Sequence, residues 1–216
     1  MEIIKKIAVK VWQPVIDKLD KKIESGCLRR DAYIGKVLAI ELERLDEEIT
    51  QPNSTAARDF VAAKLNLLNR KVVTFSLRAD LIDRLDKICN EKRIVRDAIF
   101  NRILLLLTAT PPQIDRLLLL DSDWRNTVWM AHGCDWSFFP NIFYPLEPNV
   151  DPFWVIREGI KLTNSATGSD NSFYRAVLTD KHFKSADIWG LNCYLPDEYV
   201  PNTPVRQKFL DDLDDL

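Results

Sequence analysis

The side chains able to do covalent or metal chemistry are few and scattered. Two histidines, His132 and His182, and four cysteines, Cys27, Cys89, Cys134 and Cys193, are the whole supply in 216 residues. No two cysteines form a CxxC pair, which argues against a disulfide scaffold and a zinc ribbon. His132-Gly133-Cys134 with His182 and Cys193 does not have the spacing of a zinc site. His132 and Cys134, two apart, would share one side of a strand as base and nucleophile, but nothing nearby orients the imidazole. Gly168 stands alone in the polar stretch 163–172, and one glycine builds no phosphate cradle. The sequence therefore predicts no metal, no cofactor and no catalytic group, and the chain does not read as an enzyme.

What remains is the chemistry of recognition, and here charge is unevenly distributed. The net charge of −2 hides two basic stretches: residues 1–44 hold 10 Lys/Arg against 7 Asp/Glu, a net of +3, and residues 70–110 hold 9 against 5, a net of +4. Residues 45–69 hold 2 against 4, and residues 111–216 hold 9 against 16, giving −2 and −7. The two basic stretches also resemble each other. Shifting the chain by 66 residues aligns Lys6–Leu42 with Val72–Thr108 without a gap and with nine identities, among them Ile16/Ile82, Asp17/Asp83, Leu19/Leu85, Asp20/Asp86, Arg30/Arg96 and Asp31/Asp97.

The elements that must hold these residues follow from the hydrophobic periods. Ile7, Val9 and Val11 alternate with Lys6, Ala8 and Lys10, as Val73, Phe75 and Leu77 alternate with Val72, Thr74 and Ser76, which is the period of a half-buried strand. The period then becomes helical, with Val15, Ile16, Leu19 and Ile23 in one copy and Leu81, Ile82, Leu85 and Ile88 in the other. Breaks at Ser25-Gly26-Cys27 and Asn90-Glu91-Lys92 precede second helices expected from about Arg30 to Leu45 and Arg96 to Leu107. One strand and two helices cannot close a core, and a lone strand leaves its backbone groups unpaired, so each copy needs a partner. Pairing within one chain, or between two chains of a homodimer, both satisfy this requirement.

This order, strand, helix, turn, helix, over residues 5–45 and again over 71–108, resembles the ribbon-helix-helix (Arc/MetJ-like) family of DNA-binding proteins. The likeness is stronger in the second copy, where Thr74-Phe75-Ser76-Leu77-Arg78-Ala79-Asp80-Leu81 opens the unit. The resemblance implies a mainly α fold with a two-stranded antiparallel ribbon, built as a tandem pseudo-dimer over residues 1–110, with 46–70 as linker. It further implies that double-stranded DNA is the partner and that the ribbon enters the major groove. The base-reading residues would be Lys6, Ala8 and Lys10 from one strand and Val72, Thr74 and Ser76 from the other. Lysine can donate to guanine O6 and N7, hydroxyls pair with several bases, and Ala8 or Val72 can meet a thymine methyl. Two unlike strands would read a site that need not be palindromic. The family also anchors phosphate at the start of the second helix, which places Arg29, Arg30 and Arg96 near DNA. Here the chain departs from the pattern, because Arg29 and Val95 stand where a Ser or Thr cap is usual. Asp31 and Asp97 are the residues able to stabilise those helix starts instead.

Between the copies, residues 50–54 read as a loop, followed by a helix capped by Ser54 or Thr55 and running through Leu68. After Pro111-Pro112 the composition changes, and residues 111–216 are expected to form a smaller aromatic-rich α+β domain with an acidic tail at 209–216. Five of the six tryptophans lie there, with Phe153, Phe173 and Tyr174. Such density implies a compact core or a surface for a protein partner or small ligand. No apolar run reaches the length of a membrane span and the start lacks a signal-peptide h-region, so the expected place is the cytoplasm. The leading expectation is a sequence-specific transcriptional regulator, for instance a repressor. Its rivals are an antitoxin that holds a toxin through residues 111–216 and an accessory protein of a partition, relaxation or defence complex.

Overall fold

The computed structural model describes residues 3–67, 69–117, 123–124, 127–128, 143–146, 150–168 and 172–174. These residues are mostly helical, with one two-stranded antiparallel sheet. Strand β1 (Ile4–Trp12) leads into α1 (Gln13–Ser25) and α2 (Arg30–Glu48), and α3 (Thr55–Leu67) follows. Strand β2 (Arg70–Arg78) leads into α4 (Ala79–Glu91) and α5 (Arg96–Thr108), and then come α6 (Pro111–Leu117), a 3-10 turn at Tyr144–Leu146 and α7 (Trp154–Thr167).

The two strand-helix-helix segments begin at the same offset of 66 residues that the sequence shows, element by element. Their turns repeat too. Cys27 and Arg93 both take a left-handed backbone, with φ of 54° and 53°, and their amides donate to Glu24 O and Asn90 O. Gly26, which the sequence marks as the break, is instead an ordinary C-cap with φ of −86°, as Lys92 is at −89°. A branch-free side chain tolerates the left-handed turn at moderate cost, so glycine is not required there.

Strand β1 pairs with β2 over its whole length, from Ile4↔Arg78 through Ala8↔Thr74 to Trp12↔Arg70. The alternation dictates which face is buried: Ile7, Val9 and Val11 with Val73, Phe75 and Leu77 point at the helices. The helices cross over. Helix α2 packs on β2 and α4, while α5 packs on β1 and α1, so each segment covers the apolar side of the other. Reciprocal hydrogen bonds mark the exchange: Gln13 N–H, the first amide of α1, donates to Asn69 O at 2.9 Å, and Ala79 N–H, the first of α4, donates to Ile3 O at 2.8 Å.

Helix α3 closes the connection. The Ser54 hydroxyl accepts from Ala57 N–H at 3.1 Å, the capping role expected of it, and buried Asn53 ties the preceding loop to Lys92 O through its amide at 2.8 Å.

Helix α5 is buried on every side from Ala98 to Thr108, which its unbroken Ile103–Leu107 run requires. One side meets β1 and α1. Residues from the second half of the chain join the same apolar cluster: Ile114, Trp124, Phe153, Ile156, Phe173 and Tyr174. Among the described residues, packing thus runs across the composition change at Pro111. No helix among them is long and apolar enough to cross a membrane.

Candidate nucleic-acid interface

Among the described residues the ribbon has no third strand, and no helix covers one of its faces. Every second residue looks out from that face. The register sets Lys6 opposite Ser76, Ala8 opposite Thr74 and Lys10 opposite Val72. All six expected reading residues therefore lie on one surface, five of them exposed and Ser76 half-buried. Val72 is 62% exposed and Ile4 55%, which is unusual for large apolar side chains on a strand. Among the described residues no ion pair engages Lys6 or Lys10. The sequence reading missed two residues on this face, Ile4 and Arg78, which face each other one step beyond the Lys6–Ser76 pair. The signal was available, since both continue the alternation outward by two residues.

The ribbon is anchored from beneath by two matching guanidinium struts. Arg30 donates to Asp20 Oδ1 at 3.2 Å and to Thr74 O at 3.3 Å, while Arg96 donates to Asp86 Oδ1 at 3.2 Å and to Ala8 O at 3.3 Å. Each strut starts at the first residue of a second helix and reaches the strand of the other segment. Arg30 also lies over the Phe75 ring, 5.2 Å from its centroid. The Asp31 carboxylate accepts from Ser76 N–H at 2.9 Å, so it holds the ribbon edge as well as standing in the first turn of α2. Of the three arginines expected near phosphate, Arg30 and Arg96 are thus engaged in holding the ribbon, and Arg29 is exposed. Neither Arg29 nor Val95 makes a side-chain cap, as their types imply.

A second polar cluster, which the sequence reading did not find, joins α2 to α7. Glu41 is 1% exposed, and Arg157 of α7 donates to both its oxygens, at 3.3 Å and 2.8 Å. Arg157 also donates to Asp151 Oδ1 at 2.5 Å and lies 4.3 Å from the Phe173 ring centroid. The Tyr174 hydroxyl donates to Glu41 Oε2. Burial pushes the Glu41 carboxyl up and the Arg157 charge and hydrogen bonds pull it down, with burial the larger effect. Burial lowers fully enclosed Arg102 to about 10, and this residue donates to Phe173 O. The clue was positional: Glu41 interrupts the apolar stripe Ile34, Val37, Leu38, Leu42, Leu45, and Arg102 opens an apolar run. Such charges persist inside only when paired.

Among the described residues no cluster of His, Cys, Asp and Glu is placed to hold a metal. His132, Cys134, His182 and Cys193 lie outside the described residues, as does the acidic tail. Comparison with family models, curated proteins and solved structures gives no match.

Proposed function

We propose that the chain is a DNA-binding regulator that reads the major groove with the open face of the β1–β2 ribbon, the two strand-helix-helix segments acting as a tandem ribbon-helix-helix pseudo-dimer. The observation that carries this reading is the register, which gathers Lys6, Lys10, Thr74 and Ser76 on a single uncovered face of a ribbon narrow enough for a major groove. The segments supplying the ribbon are the two basic ones, while the acidic residues lie in the connection and the second half. Protein or ligand recognition by residues 111–216, as in an antitoxin, is a separate role that this reading leaves to that part of the chain.

Folding and reading should separate under mutation. Lys10→Ala is expected to weaken specific binding by about 1–3 kcal/mol with little change in melting temperature. Phe75→Ala, at a fully buried position, is expected to cost about 3–5 kcal/mol of stability. Fluorescence anisotropy on duplex DNA across a salt series, beside thermal melts, measures both. If Lys6→Ala, Lys10→Ala and Thr74→Ala combined leave affinity unchanged in a folded protein, the ribbon face is not the reader.

A further inference from the structure

The two segments repeat the same elements, and they part company beside the ribbon. At the edge formed by the start of α2, the end of β2 and α4 lies an open groove of about 870 Å³. Its floor is apolar, made by Ala32, Gly35, Ala39, Leu77 and Leu81. Arg29, Arg30, Lys36 and Arg78 line it with Asp31; Arg30 is paired with Asp20 and Asp31, and Arg78 with Asp80 at 3.2 Å.

The equivalent place in the other half is filled, and three residue pairs account for the difference. Gly35 corresponds to Asn101, whose buried amide donates to Lys10 O at 3.0 Å and accepts from Trp12 N–H at 2.8 Å. Ala39 corresponds to Leu105, which is buried. Exposed Arg78 corresponds to Trp12, which is buried. At all three positions the groove side carries the residue that leaves space.

Local packing does not demand the smallest of them. A Cβ placed at Gly35 meets nothing closer than Leu77 Cδ2, at 3.5 Å, an ordinary contact. Glycine inside a helix costs about 1 kcal/mol relative to alanine. The chain therefore carries at this position a residue unfavourable in a helix, beside the groove, where a Cβ would meet no clash. The cationic rim over an apolar floor then specifies the chemistry of the guest.

We propose that this groove binds a small amphipathic anion, an apolar ring or chain bearing one carboxylate, sulfonate or phosphate. The acid group meets the guanidinium of Arg29 at the rim and competes with Asp80 for that of Arg78, both able to offer forked N–H pairs to an oxyanion. The apolar body lies on Ala32, Gly35 and Ala39, which are exposed or half-buried, above the buried Leu77 and Leu81. This assignment does not rest on the nucleic-acid reading, and its test uses no DNA.

The experiment titrates the full chain with 8-anilinonaphthalene-1-sulfonate, followed by fluorescence, against its uncharged analogue N-phenyl-1-naphthylamine. Saturable binding of one sulfonate per chain is expected, with the uncharged analogue at least tenfold weaker. Gly35→Asn with Ala39→Leu, which copies the filled half, should weaken the sulfonate at least tenfold. Should that pair fail to fold, Arg29→Glu and Arg78→Glu, both on exposed side chains, should each weaken it at least threefold with an unchanged melt. Inorganic phosphate at matched ionic strength should not displace the probe. Absence of saturable binding, equal affinity for both probes, indifference to the folded variants, or displacement by phosphate alone would each overturn the proposal.

Discussion

Segment 4–48 and segment 70–108 are built on one plan and used for different ends. Where they agree, the residues hold the ribbon: Arg30 and Arg96 with Asp20 and Asp86, the left-handed turns at Cys27 and Arg93, and the strand starts bonded to each other's first helices. Where they differ, each residue answers to its own surroundings. Glu41 answers to Leu107, and Gly35 to Asn101. One member of the first pair binds Arg157, and the other completes the apolar wall of α5. Substitution is thus confined by what each position touches. The nine identities all lie in the helices and none in the paired strands, so the strands share their alternation and not their letters.

The largest effect should come from dividing the two. In residues 1–50 alone, β1 lacks β2, the strand it pairs with, and the apolar side of α2 lacks β2 and α4. This fragment should show no cooperative melt as a monomer, being either unfolded or self-associated, and circular dichroism with analytical ultracentrifugation decides between these. A well-folded monomer of residues 1–50 would mean that the segments do not depend on one another.

Next in size is the ionic cluster that belongs to one segment only. Glu41→Leu introduces the residue that segment 70–108 carries at the equivalent place, yet it should cost about 3–5 kcal/mol, because Arg157 is left buried beside fewer anions. Adding Arg157→Leu should recover much of that loss, as well-packed apolar residues often replace a buried pair without penalty. Denaturant melts of the single and double variants measure the coupling. Additive losses would show that Glu41 and Arg157 do not act as a pair.

How much of this was legible beforehand follows the same division. The strands and helices of both segments can be read because their signal is local: Ile7, Val9 and Val11 announce a strand whatever lies elsewhere, and the helix starts fall at Arg30 and Arg96 as expected. The outward face follows from the same alternation. What packs against Glu41 of α2 is not local. Glu41 signals that some cation must approach, but nothing in a period of 3.6 residues says that it is Arg157, 116 positions later. For the same reason Phe153, Phe173 and Tyr174 were expected in a core of their own, although among the described residues they join the cluster that includes α2 and α5. The groove escaped because it is made by small residues, and a periodic reading registers only the large ones.

The smallest expected effect compares the two uncapped helix starts. Arg29 and Val95 both have the extended backbone of an N-cap, with φ/ψ of −95°/117° and −78°/115°, and neither offers a side-chain acceptor. A serine at either place would reach the amide two or three residues on and satisfy one of the orphan donors. The neighbourhoods differ, however. Arg29 is exposed, so Arg29→Ser loses no packing and should raise stability by about 0.5–1 kcal/mol, at the lower end of measured cap effects. Val95 is half-buried against the core, so Val95→Ser gives up apolar contact of similar worth and should leave stability nearly unchanged. Thermal melts of the two variants in parallel, with the double variant matching the sum, make the comparison. Equal gains at both positions would mean that the Val95 side chain contributes nothing by its packing, and a loss at Arg29 would mean that this side chain stabilises the start of α2 in a way its exposure conceals.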